Sequence, residues 1–216
     1  MTGSATYLLH SRVPVAPGAK FPVGAQLARR DREGGHGHAT FVALAGDEVM
    51  ELTAFASLAE LPAVLAVRTE AERGVAPWLT GEWRHEILGH VEDVIAAPQA
   101  ITAAPMVEMR HIEVPPPVYA EYRQWRERTI YEAVRQRSEI DDFRSYQSVL
   151  STEPGVMFVV GFSAEPARYA EVYRTQQYQE ILREAGSRYI AQGLSGLRCT
   201  LYARPQVAEE LDRRAA

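Results

Sequence analysis

Val156–Phe162, Val-Met-Phe-Val-Val-Gly-Phe, is apolar at nearly every position, as a strand covered on both faces must be. An earlier stretch, Val49–Phe55, reads Val-Met-Glu-Leu-Thr-Ala-Phe and shares its Val-Met, four residues, Phe pattern. Each stretch sits about midway through its half of the chain. Two further matches accompany this one: His10 with Val13-Pro14 echoes His111 with Val114-Pro115. The interval from His to Val-Met is 39 residues in the first half and 45 in the second, so the first half has a shorter helix or loop. The chain is expected to be one supersecondary unit written twice.

Working outward, the second half is the clearer copy. Val107–Val114 reads as a strand, stopped by Pro115-Pro116-Pro117, which also sets up a helix start. In the helix that follows, to about Arg137, Val118, Tyr122, Trp125, Thr129 and Ala133 form one stripe at 3.6-residue spacing. Phe143–Leu150 and Val156–Phe162 make a hairpin around Ser151–Gly155. Pro166 opens a helical region in which Tyr178, Ile181, Leu182, Ala185 and Tyr189 share a face, with Gly193 as its stop. Leu194–Ala203 is the last strand. The first half repeats the order: strand Tyr7–Val13, helix Phe21–Arg32, hairpin Ala39–Leu44 and Glu48–Phe55, helix to about Arg73, strand Arg84–Ile95. Ser57 and Glu60 have capping-box spacing ahead of that second helix. Gly34-Gly35-His36-Gly37-His38 reads as a flexible joint and Pro98–Pro105 as a linker.

Each half is therefore β-α-β-β-α-β, the ferredoxin-like unit. The expected fold is α+β: two tandem ferredoxin-like units, residues 1–97 and 106–205, packed sheet to sheet as an intrachain α/β barrel, with 206–216 as a charged tail. A lone four-stranded sheet leaves one face wet, and the sister sheet is its natural cover.

Composition narrows the partners. Of 216 residues, 46% are hydrophobic and 24% charged, which is ordinary for a globular chain. A formal charge of -5 argues against a nucleic-acid groove. Cys199 is the sole cysteine, which excludes an intrachain disulfide and a Cys-rich zinc site. It is expected as a small buried apolar group. No stretch approaches the roughly 20 apolar residues of a membrane span, and no secretory signal is visible, so a cytoplasmic protein is expected. Lys20 is the only lysine among many arginines. Genomic base bias accounts for that, or a need for guanidinium groups in anion binding.

Polar residues on a covered strand cost on the order of 1–3 kcal/mol each unless paired. Val107–Val114 nonetheless carries Glu108, Arg110, His111 and Glu113. Alternation places His111 and Glu113 on one face and Glu108 and Arg110 on the other. One reading is an ion-pair network between the sheets. The other makes His111, oriented by Glu113, a general base or hydrogen-bond donor in a cavity, with its repeat mate His10 and with Arg110 as the further catalytic candidates. Trp78, Trp83, Trp125, Tyr119, Tyr122, Tyr146, Tyr173 and Tyr178 are candidates to line an aromatic-friendly pocket or to be core residues. His38 could reach a ligand if its joint closes over a pocket. His85 and His90 resemble a zinc-protease motif, but their five-residue spacing puts them on different faces of either a helix or a strand. No metal site, phosphate-cradling glycine loop or dinucleotide fingerprint is present.

Taken together, the element order and these short patterns resemble the dimeric α/β-barrel superfamily, fused in tandem. Met106–Pro205 resembles NIPSNAP-type domains; the first-half hairpin and following helix are closer to antibiotic-biosynthesis monooxygenases. The resemblance implies a small-molecule enzyme, cofactor-independent, that oxygenates an aromatic or polyketide-like substrate. A polyketide cyclase or isomerase, a haem-binding enzyme of the same fold, a non-catalytic carrier and a further homodimer are the alternatives it leaves. The monooxygenase pattern places Trp-Asp/Glu-Ser after the third strand; Phe55-Ala56-Ser57 and Phe162-Ser163-Ala164 stand there instead, without the indole N–H.

Overall fold

In a computed structural model that describes residues 5–32 and 37–215, the chain closes into an eight-stranded barrel. The first half supplies β1 (Tyr7–Pro14), β2 (His38–Ala43), β3 (Glu48–Phe55) and β4 (Arg84–Ile95); the second supplies β5 (Met106–Ile112), β6 (Asp142–Leu150), β7 (Val156–Phe162) and β8 (Leu197–Ala203). Around the barrel the order is β1-β3-β2-β8-β5-β7-β6-β4. Each half thus keeps its first and third strands central, the ferredoxin-like arrangement. All eight pairings are antiparallel, including the two seams between halves, β2–β8 and β4–β6.

Every residue of β5 and β7 is buried, as the apolar run required. One face points into the barrel, where Leu8, Phe41, Met50, Leu52, Met109, Met157 and Val159 pack together. The other lies under the helices: α3 (Tyr119–Arg128), α4 (Ile130–Arg135), α5 (Pro166–Arg174) and α6 (Gln176–Arg188) in the second half, α1 (Lys20–Leu27) and α2 (Leu61–Val75) in the first. The single helix expected to Arg137 breaks at Thr129, whose backbone leaves the helical region (φ -126°, ψ -73°). The Ser57/Glu60 capping box forms as expected, on a short 3-10 turn that leads into α2. Gly193 has the left-handed φ of 63° that suits a stop, but α6 has already ended at Arg188.

Two segments depart from expectation. Residues read as a charged tail form α7 (Pro205–Ala215), which packs on α1 and β2 and so ties the end of the second half to the first. The connector between halves is not a passive linker. Ile101 is buried in the barrel interior, Thr102 donates to Asp142 at 2.5 Å, and the buried Arg144 reaches the carbonyls of Gln99 and Ala100. Gly161 is required here, because a Cβ would collide with Thr102 and Asp142. Of the glycine-histidine joint, Gly34, Gly35 and His36 lie outside the described residues, while His38 opens β2.

Strand register refines the repeat. Val13 pairs with Val49 as Ile112 pairs with Val156, so the structural mate of His111 is Arg12 and that of Arg110 is Ser11. The His10–His111 match is displaced by two residues, which preserves facing but not position. Because Ile101 plugs the barrel, Ile101→Ala should lower stability by about 2–5 kcal/mol. Urea unfolding checks this; an unchanged midpoint would mean that the connector merely lies over the barrel.

Candidate active site

Alternation distributes the nominated residues into three separate places. His10 and His111 point into one mouth of the barrel. His10 Nδ1 lies 3.5 Å from Glu86, which also accepts from Ser148 at 2.5 Å. His111 Nε2–H donates to the Glu153 carbonyl at 2.9 Å. Arg12 lies 3.6 Å from Glu48 and 3.3 Å from Glu153, and Arg198 holds Glu153 at 2.5 Å. Two bonds of this set, Arg12 to Glu153 and Ser148 to Glu86, cross from one half to the other, although neither involves Glu108, Arg110, His111 or Glu113, the residues expected to make such a network. The cavity beside it, about 20 Å³, has room for about one water. Tyr146 is also inside the barrel, edge-on to His90. Glu113 lies beyond the end of β5, its backbone bonded to Gly196 and Ala191.

Arg110 faces the other way, under α5 and α6. Its Nη2 donates to both oxygens of Glu108 at 3.0 and 3.1 Å, and its Nη1 to the Tyr178 hydroxyl at 2.7 Å. Tyr169 donates to Glu108 at 2.6 Å, and the Tyr173 ring stacks 3.9 Å from the guanidinium carbon. Burial alone would lower the pKa of Arg110, but the Glu108 carboxylate together with Tyr178, Tyr173 and Cys199 outweighs it and holds the value above normal. Burial pushes the Tyr178 phenol up to about 12, against the pull of Arg110, so it stays protonated. Beyond this pair runs a narrow slot lined by Arg110, Tyr178, Tyr122, Ile130, Phe158 and Ile181 among others. Its volume is about 10 Å³, roughly one water. Tyr122 lines it and Trp125 packs beside Tyr122 on the same helix; Cys199, expected buried, is exposed on β8 opposite Arg110.

The first half has its own polar layer. His85 Nδ1 accepts from Arg68 at 2.9 Å and from the Ser11 hydroxyl at 3.0 Å, and Arg68 stacks on Trp83 at 4.0 Å. Burial, and then the Arg68 charge, push His85 down to about 4, leaving it neutral. His90 lies on the opposite face with Asp93, so the two do not converge on a metal. Among the described residues no cluster could hold one. His38 is clamped between Asp31 (2.7 Å) and Glu51 (3.1 Å). Burial opposes its charge, but the two carboxylates prevail and raise its pKa.

The residues that sequence reasoning passed over are Tyr169, Arg68, Ser11 and Arg126. Arg126 had a signal: a charge on the buried side of an otherwise apolar stripe. Arg68 had the same one on α2. Ser11 and Tyr169 had none, since their partners are distant in sequence.

No protein-family model matches the sequence, and no curated protein matches it. Solved structures do. One described as an anthrone oxidase-like protein has a TM-score of 0.63 at 11% identity, over 94% of this chain and 93% of that one. A Listeria monocytogenes ferredoxin-fold protein related to antibiotic biosynthesis monooxygenases gives 0.53 at 7%, over 94% and 96%. LmHde, a heme-degrading enzyme from the same species, gives 0.55 at 8%, over 92% and 99%. With the barrel above, these likenesses define the class: a tandem ferredoxin-like α/β barrel in one chain, whose neighbours include monooxygenase-like proteins. At such identities the likeness is one of fold.

A histidine-ligated haem does not fit the slot, whose lining holds no histidine. Glu108→Gln should destabilise by on the order of 3–5 kcal/mol, because it strands the buried Arg110 charge, and adding Arg110→Met should recover part of the loss; denaturant titration of the pair measures it. The raised pKa of His38 stabilises the fold fully below its unfolded value near 6.5 and ceases to do so as pH climbs through the folded value. Stability should therefore fall on the alkaline side of 6.5, and His38→Gln should flatten that slope in unfolding curves across pH.

Proposed function

We propose that the second-half slot is the active site of a cofactor-independent oxygenase acting on a flat aromatic or polyketide-like substrate through its anion. One observation carries this reading: the 2.7 Å bond from Arg110 to the Tyr178 hydroxyl at the wall of the slot. Because the Tyr178 oxygen accepts from Arg110, its own proton is free for a substrate oxygen. A phenol polarised by a buried guanidinium among apolar walls, in a slot that widens to admit the ring, favours charge on that oxygen as the substrate ionises. Glu108, already occupied by Arg110 and Tyr169, is a positioning residue. His111 points to the opposite face of the same strand, so it and Arg110 do not serve one substrate.

An anthrone illustrates the balance. Its methylene proton passes to solvent base as the substrate enters as the anion; the stabilised carbanion then combines with oxygen and takes up a proton to give a hydroperoxide, and loss of water from that yields the carbonyl. The chain's part is to lower the cost of the anion and to keep water out. The fold neighbour described as anthrone oxidase-like supports the substrate type. A cyclase or isomerase would use the same donors without oxygen.

An oxygen electrode separates the two. Turnover of an anthrone should consume oxygen in step with product. Tyr178→Phe should lower kcat on the order of 10²-fold, while His111→Gln should leave it unchanged. Conversion without oxygen uptake would assign the cyclase or isomerase reading. A Soret band on adding haem, with activity that depends on it, would sink the cofactor-independent one.

A further inference from the structure

Four arginines are buried among the described residues, and three have partners. Arg68 binds Glu72 and His85, Arg110 binds Glu108 and Tyr178, and Arg144 reaches Asp142 and two backbone carbonyls. Arg126, on α3, has none. It is 0% exposed, and its Nε, Nη1 and Nη2 all lack a hydrogen-bond partner. No carboxylate forms an ion pair with it among the described residues. Its neighbours are aromatic rings, Tyr131 at 5.2 Å and Tyr122 at 5.8 Å from the guanidinium carbon. Ring faces attract a cation, but they do not replace the hydrogen bonds that five N–H groups lose on burial.

The surrounding groups share the deficit. The Tyr122 hydroxyl is buried without a partner, and the buried Tyr131 and Ser145 hydroxyls have only each other. Tyr122 lies one turn before Arg126, Tyr131 opens α4 just after it, and Ser145 comes from the helix-facing side of β6, near the Tyr131 hydroxyl. Each can donate, and the Arg126 charge is positive; the Arg135 guanidinium carbon lies 5.8 Å from the centre of the Tyr131 ring, and the Glu92 and Glu127 carboxylates act on Tyr131 without pairing with Arg126. Such a set is complementary to one small anion. The slot lies beside them: Tyr122, Ile130 and Phe158 line it on this side, Arg110 and Tyr178 form another part of its wall, and Arg126, Tyr131 and Ser145 stand outside its lining.

We propose that Arg126 anchors the carboxylate of a small monocarboxylic acid, with the hydroxyls of Tyr122, Tyr131 and Ser145 as further donors and an apolar body in the slot. A guanidinium fork matches the two oxygens of a carboxylate. One buried positive charge balances one negative charge, and a phosphate dianion would remain half neutralised between apolar walls. The slot must widen to admit such a body, and the helical cover is discontinuous at Thr129, three residues beyond Arg126. The proposal shares its slot with the proposed oxygenase. If both hold, the substrate is an aromatic or polyketide-like acid. Binding is measured without turnover, so either can fail alone.

The test uses the full chain at constant ionic strength. Benzoate and hexanoate are the probes, with chloride and inorganic phosphate as controls, followed by thermal unfolding and titration calorimetry. At least one carboxylate should raise Tm and bind measurably, and neither control should match it. Arg126→Met should remove that shift while raising the Tm of the ligand-free protein, because an unpaired buried charge is replaced by an apolar chain of similar reach. Should that variant fold poorly, Tyr131→Phe keeps the ring and should weaken carboxylate binding roughly tenfold. The proposal is overturned if neither carboxylate shifts the wild type, if chloride shifts it as much, or if both variants bind like the wild type. Carboxylate binding without oxygen uptake on any anthrone would retain this site and remove the oxygenase reading.

Discussion

Barrel closure is the constraint on which everything else depends. Eight antiparallel strands joined edge to edge leave no open sheet edge and give each sheet a covered inner face. The two seams are unequal. β4 and β6 run together over a long, bulged ladder, whereas β2 and β8 meet through Val42–Ala203 and Ala43–Tyr202. The short seam is reinforced from both sides: Tyr202 donates to Glu48 within the barrel, and α7 lies across β2 outside it. With the interior filled by methionine, leucine and aromatic side chains and plugged by Ile101, space for a ligand has to come from the outer layer, between sheet and helices.

That layer differs between the halves, although the strand order is the same. The positions occupied by Glu108 and Arg110 in β5 are Leu9 and Ser11 in β1. Over them, α2 buries few side chains and exposes Leu65 and Val67, whereas the second half brings four helices and a continuous aromatic wall. A duplicated unit needs both copies to close the barrel but only one to hold a site. The first copy is thereby free to spend its polar residues on the His38–Asp31–Glu51 and Ser11–His85–Arg68 contacts.

Within the second half, two buried guanidinium groups sit under the same helical cover in opposite electrostatic conditions. Arg110 is neutralised by Glu108 and fixed by tyrosines, so it directs a phenol. Arg126 has aromatic rings and hydroxyls near it, none of which accepts from it, and no ion-pair partner among the described residues. Burial costs both of them hydration, and only the first recovers it from the protein itself. The slot therefore has a polarised donor in its wall, and the uncompensated cation stands behind Tyr122, outside its lining.

The sequence by itself determined the repeat, the element order and the double-sided burial of Val156–Phe162, because hydrophobic period and proline or glycine stops are local properties. It also determined which residues of β5 face apart, since alternation along a strand is fixed by the pleat. Tertiary structure alone decided which of those faces met the helices, and that moved Arg110 to the slot and His111 to the barrel mouth. It decided, too, that Pro205–Ala215 is a helix and that the connector fills the barrel, since each is stabilised by surfaces more than a hundred residues distant or across a seam. Whether a buried charge finds a partner is likewise a matter of three-dimensional neighbours: the helical stripe marks Arg126 as a charge on a buried side, but only packing shows that nothing in the described chain answers it.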